Sequence, residues 1–94
     1  MGRSRKRLQE IADSFMSEME TLFPGVEQRP TLEDVEGYEV WVHIQVPEQL
    51  ISQFWQIQDA AGVLFERLTE ETGVNVIASV STKKPELVPM RGER

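Results

Sequence analysis

The stretch GYEVWVHIQVPEQL, residues 37–50, alternates between two unlike sets of side chains. Tyr38, Val40, Val42, Ile44 and Val46 form one set; Glu39, Trp41, His43 and Gln45 form the other. A period of two with many β-branched residues predicts a strand over residues 38–46. Pro47 ends it, because proline has no N–H to give to a ladder. The first face is a plain apolar wall. The second carries one of the two tryptophans and the only histidine. What covers that second face is the question the rest of the chain has to answer.

Downstream, residues 48–72 predict a long helix. Leu50, Phe54, Ile57, Ala61, Leu64 and Leu68 fall within about 40° of one line at about 100° per residue. Ile51, Trp55 and Gly62 form an adjoining strip, so the apolar surface is wider than one contact needs. Gly73 suits the left-handed cap that ends such a helix. Residues 74–81, VNVIASVS, predict a second strand, with Val74, Val76, Ala78 and Val80 on one face. A helix of this length rises about 36 Å, enough to return the chain to the start of a parallel strand. The unit is then a right-handed β-α-β crossover.

Upstream, Leu8, Ile11, Ala12, Phe15, Met19, Leu22 and Phe23 recur at helical spacing and predict an amphipathic helix over residues 5–23. Ser4 suits its N-cap. Pro24 and Gly25 stop it. Residues 24–37 read as a connector, with TLEDV making one short turn capped by Thr31. The fold class expected is α/β, with α+β as its neighbour: an N-terminal helix, then a β-α-β unit. Two parallel strands make a very small sheet that needs cover. A dimer joining edges or sharing the wide helix surface would provide it. The expected organisation is a basic arm at residues 1–7, one compact domain at residues 8–82, and a mobile polar tail at residues 83–94.

A chain of 94 residues buries only a modest core. It contains no cysteine, which excludes disulfides, thiolate metal sites and thiol nucleophiles. No apolar run approaches the roughly 20 residues a membrane helix needs, and Glu10 and Asp13 interrupt the place where a signal-peptide core would lie. A soluble, cytoplasmic protein is the expectation. The net charge of −6 conceals a segregation. The first seven residues carry +4, from Arg3, Arg5, Lys6 and Arg7. Residues 8–82 carry fourteen acids against Arg29 and Arg67, hence −12, and residues 83–94 carry +2. An acidic body repels nucleic acid and attracts basic partners; the ends do the reverse.

His43 is the one side chain suited to acid–base work near neutral pH. A nucleophilic dyad also needs a hydroxyl within reach and an acid to orient the ring. Glu39 lies four residues along the same strand face, about 13 Å away, too far to orient it. Ser52, Ser79 and Ser81 would reach it only through the tertiary fold. One histidine without cysteine does not make a zinc set. EDVE, with Glu33, Asp34 and Glu36, lacks the alternating oxygen ligands and turn glycine of a calcium loop. The glycines are isolated, so no phosphate-cradling loop exists, and no cofactor is expected.

What remains is recognition. Trp41, His43, Trp55, Ile51 and Gly62 are the candidate partner-binding residues: aromatic residues off the main apolar line are typical of interface anchors, and a glycine inside a helix costs up to about 1 kcal/mol against alanine, which close approach of another element would offset. The competing explanation for Trp41 is that the first helix covers it within the same chain. Arg3, Arg5, Lys6 and Arg7 are the candidate nucleic-acid contacts, able to neutralise phosphates without reading sequence. The leading expectation is a small, non-enzymatic interaction or regulatory protein, a homodimer whose acidic body binds a basic partner. Antitoxins and inhibitor subunits share this compositional profile. The alternative is a dimeric nucleic-acid-binding regulator using the basic arm, and the least favoured is a small enzyme centred on His43.

Overall fold

The computed structural model describes residues 4–34 and 36–82. Arg3 and the tail at residues 83–94 lie outside them. The elements run α1 (Arg5–Leu22), β1 (Glu27–Thr31), β2 (Val40–Val46), a 3₁₀ turn (Glu48–Gln53), α2 (Phe54–Thr72) and β3 (Val76–Thr82). The three strands form one mixed sheet in the order β1-β2-β3. The first pair is antiparallel and the second parallel. The class is α/β to α+β, as the element pattern implies.

Local chemistry sets the ends of these elements. Ser4 Oγ accepts from Arg7 N at 3.1 Å and caps α1. Its last turn closes through Phe23 N donating to Met19 O at 2.8 Å, and Gly25 then turns the chain at φ 104°, a conformation glycine adopts without penalty. Gly73 ends α2 in the left-handed region at φ 75°. The long helix begins later as α-helix than its periodicity implies: Pro47 leads into a 3₁₀ turn, and α geometry starts at Phe54.

β1 corrects the sequence reading of residues 24–37 as a connector. EQRPT has one β-branched residue and a proline, so local preference argues against a strand. The antiparallel ladder to β2 overrides that preference. Val40 N donates to Asn75 O at 3.1 Å, so the backbone groups of Val40, Val42, Ile44 and Val46 point to β3, and those of Trp41, His43 and Gln45 point to β1. Pro30 lies opposite Val42. Its nitrogen therefore faces away from the ladder, and the missing N–H costs nothing on this outer edge. Nor does Thr31 cap a turn; it belongs to β1. The bend after it uses Asp34 Oδ1, which accepts from Gly37 N at 3.2 Å.

Both helices pack on the same side of the sheet. Val40, Val42, Ile44 and Val46 are buried beneath Leu8, Ile11, Ala12, Phe15 and Met19 of α1 and Ile57, Ala61, Leu64 and Leu68 of α2. Gln28 Nε2 donates to Met16 O at 2.9 Å, tying α1 to β1. Arg67 bonds Glu18 at 3.0 Å across the two helices; this pair is exposed, so it contributes little. Of the two explanations open for the Trp41 face, cover by α1 is thus excluded. Its one apolar stripe finds the valine wall already shared with α2, and a single stripe serves only one face. The described residues make two layers, and none of them covers the other face of the sheet.

Candidate interaction surface

The bare face is a grid set by the ladder registers. Trp41 lies between Thr31 and Ile77, His43 between Arg29 and Ser79, and Gln45 between Glu27 and Ser81. Side chains on aligned residues of neighbouring strands share a face and stand about 5 Å apart. The polar members of β1 and β3 therefore flank the Trp41–His43 row on both sides.

Within this grid the aromatic side chains hold one another. The Trp41 and His43 rings stack, with centroids 5.7 Å apart and planes 11° from parallel. Tyr38 meets Trp41 edge-on at 6.1 Å. Trp41 Nε1 donates to Ser79 Oγ at 3.2 Å, and His43 Nε2 lies in hydrogen-bond contact with Thr31 Oγ1 at 3.1 Å. Two polar tips are satisfied and the indole is held as a half-buried slab. Beside it lies a shallow depression of about 330 Å³, lined by Glu27, Arg29, His43, Gln45, Ser79 and Ser81. Arg29 forms no ion pair among the described residues, so its charge is available to a ligand.

The hydroxyl that reaches His43 is Thr31, not any of the serines the sequence suggested. Ser79 faces His43 across the ladder but is taken up by the indole. A Thr–His contact is half of a nucleophile–base pair. Its third member, an acid on the other ring nitrogen, is not found among the described residues. Glu39 is engaged elsewhere, its Oε1 accepting from Asn75 N at 3.4 Å. The arrangement offers flat aromatic area, hydroxyls and one cation, which is the equipment of recognition.

The other candidates do not join this face. Trp55, in the first turn of α2, is 71% exposed, and Ile51, in the 3₁₀ turn before it, is 39% exposed. Trp55 touches Phe54 edge-on at 5.2 Å. Gly62 lies in α2 with nothing within 4 Å of where a Cβ would sit, so the packing contact expected of it is absent within the described chain. Arg5, Lys6 and Arg7 are exposed on the first turn of α1. Arg5 lines a small hollow with Thr31 and Leu32, which puts it at the Trp41 end of the sheet. The described residues contain no helix long and apolar enough to cross a membrane.

Compared with known proteins, the chain matches no family, no curated protein and no solved structure.

Sequence reasoning missed Arg29, Thr31, Ser79 and Ser81 as members of one surface. A faint signal existed: Glu27, Arg29 and Thr31 alternate with Gln28 and Pro30. Pro24 before the segment and Pro30 within it masked it, and no local pattern reveals which strand lies beside which.

Proposed function

We propose that this protein is a small, non-enzymatic interaction protein that works as a homodimer and recognises a basic protein partner. The observation that carries the reading is the bare sheet face: both helices pack on the valine wall, and no element of the described chain covers the Trp41–His43 row. Aromatic slabs with satisfied polar tips on an uncovered face suit a protein interface. A second copy laid on that face would bury the Trp41 row and give the sheet its second layer. The excess of fourteen acids over two cations in residues 8–82 sets the chemistry of the partner, because such a field draws in positive surfaces.

Multi-angle light scattering over a concentration series tests the dimer. The expectation is twice the chain mass at micromolar concentration, falling to the monomer in Trp41→Glu, which places a charge at the centre of the interface. A monomeric parent protein at that concentration would sink the dimer. For the partner, affinity that responded neither to salt nor to charge reversal on the acidic body would sink the electrostatic part.

A second reading has one observation in its favour. Arg5 and Thr31 line one hollow, so the basic arm and the Trp41 row share one end of the sheet. Aromatic rings with nearby cations also form platforms for single-stranded nucleic acid. This reading expects binding that weakens steeply with salt and disappears when residues 1–7 are deleted. Failure to bind DNA or RNA at low salt would exclude it.

A further inference from the structure

The two edges of the sheet are unlike. The β1 edge is short and carries Pro30, a usual way to blunt an edge. The β3 edge runs over seven residues. With Val40 N bonded to Asn75 O, the ladder takes up the backbone groups of residues 75, 77, 79 and 81. Those of residues 76, 78, 80 and 82 point outwards. Val76 is already closed: Thr69 Oγ1 accepts from its N at 3.0 Å and donates to its O at 3.4 Å. Ala78 and Val80 have no such cap among the described residues. Their outward N–H and C=O groups are a template for one more strand.

A groove lies along that template. It measures about 600 Å³ and runs between Ala78, Ser79 and Val80 below and the side of α2 above. Gly62 and Val63 form its middle, and Asp59 and Glu66 stand one on each side of them along the helix. Val63 is 69% exposed. A Cβ on Gly62 would meet nothing within 4 Å, so the glycine serves no contact with the described residues and leaves the groove open. No cation among the described residues lines it; Arg67, on the same helix, is turned to Glu18.

We infer that β3 accepts an extended segment of a basic partner as a fourth strand, seated in the groove beneath α2. The inference rests on the reading of the protein as a binder of basic partners and gives that partner a form. Main-chain bonds to Ala78 and Val80 supply registration, and pockets for alternate side chains supply specificity. Asp59 and Glu66 are separated by about 10 Å along the helix at 1.5 Å per residue. Positions i and i+4 of a strand are about 13 Å apart, a mismatch that long flexible side chains absorb. The expected segment therefore carries lysine or arginine at i and i+4, with a small apolar residue at i+2 over Gly62. Thr69 blocks continuation past Val76, which limits the footprint to residues 78–82. A second copy of the same chain is a poor occupant, since its own α2 would have to share the space beside the groove and bring Asp59 and Glu66 against their like.

The test uses the full chain and a fluorescein-labelled peptide, Ser-Lys-Thr-Val-Thr-Lys-Ser. Anisotropy is expected to show saturable binding that is at least tenfold weaker when both lysines are replaced by glutamate, and at least tenfold weaker in Asp59→Lys and in Glu66→Lys. Gly62→Phe should block binding, and a peptide with N-methylated backbone nitrogens should not bind. Bound peptide should slow amide exchange at Ala78 and Val80 at least tenfold. Binding that leaves those two amides unprotected would overturn the strand addition while leaving recognition of basic ligands standing. Absence of binding up to millimolar peptide would overturn the inference; if polylysine and basic proteins also failed to bind, the broader reading would fall with it.

Discussion

The Thr69 hydroxyl closes both backbone groups of Val76, accepting from N at 3.0 Å and donating to O at 3.4 Å. One side chain of α2 thereby pins the helix to the outer edge of the sheet and ends the exposed template at that point. Thr69→Val keeps the shape and removes the bonds. It is expected to cost about 1–2 kcal/mol, read as a lower urea midpoint, and to speed amide exchange at Val76 while exchange in the middle of β2 changes only with global stability. Unchanged exchange at Val76 would mean the contact contributes nothing.

Gly62 and Gly73 are opposite cases. Gly62 is helical with open space where a Cβ would go, so Gly62→Ala is expected to raise stability by up to about 1 kcal/mol. Gly73 sits at φ 75°, where a Cβ strains the backbone, so Gly73→Ala is expected to lower it by about 1–2 kcal/mol. Thermal or urea unfolding of the two variants side by side checks the signs.

Phe15 is fully buried between the helix layer and the sheet. Phe15→Ala is expected to cost about 3–5 kcal/mol, a large share of the roughly 5–15 kcal/mol available to a small domain. In the monomer, Trp41→Ala removes a larger side chain from the bare face and should cost less, about 1–2 kcal/mol from the lost ring contacts and the bond to Ser79. A loss that grows with protein concentration in denaturant titrations is expected where a second copy covers the Trp41 face.

The two tryptophans report on different surfaces. Trp55 is 71% exposed, whereas Trp41 is half-buried against His43. Acrylamide should therefore quench Trp55 more strongly, and Trp55→Phe should leave a bluer, less quenchable emission from Trp41. In that variant, any ligand or second copy docking on the bare sheet face is expected to shift the remaining emission. Docking at the β3 groove, on the far side of Ser79 from the indole, should leave it nearly unchanged.

Periodic elements were legible because burial on one side writes itself into the chain. The 3.6-residue spacing of Leu8, Ile11, Phe15 and Met19, and the alternation from Val40 to Val46, each identify an element and its buried face. Both strands of the crossover, both helices and the caps at Ser4 and Gly73 follow from such local rules. Less of the interaction surface was legible. Trp41 and His43 stood out as unusual, but the residues that complete their surroundings did not. β1 escaped because a ladder to Val42 and its neighbours holds EQRPT extended against its own preference. The open space at Gly62 could not be told from a tight contact, since a glycine looks the same in sequence whether something fills the gap or nothing does.

Sequence alone determined that residues 38–46 have one apolar and one mixed face, that a long helix returns the chain to a parallel strand, and that an acidic body lies between basic ends. These are properties of neighbours along the chain, set by side-chain period, caps and charge. Only the tertiary structure decided that α1 and α2 share the valine wall, that Thr31 rather than a serine meets His43, and that no described residue pairs with the outer edge of β3 beside Gly62. Each of those depends on which surfaces compete for the same buried face. That competition is settled by packing between residues far apart in the chain, and no local pattern encodes its outcome.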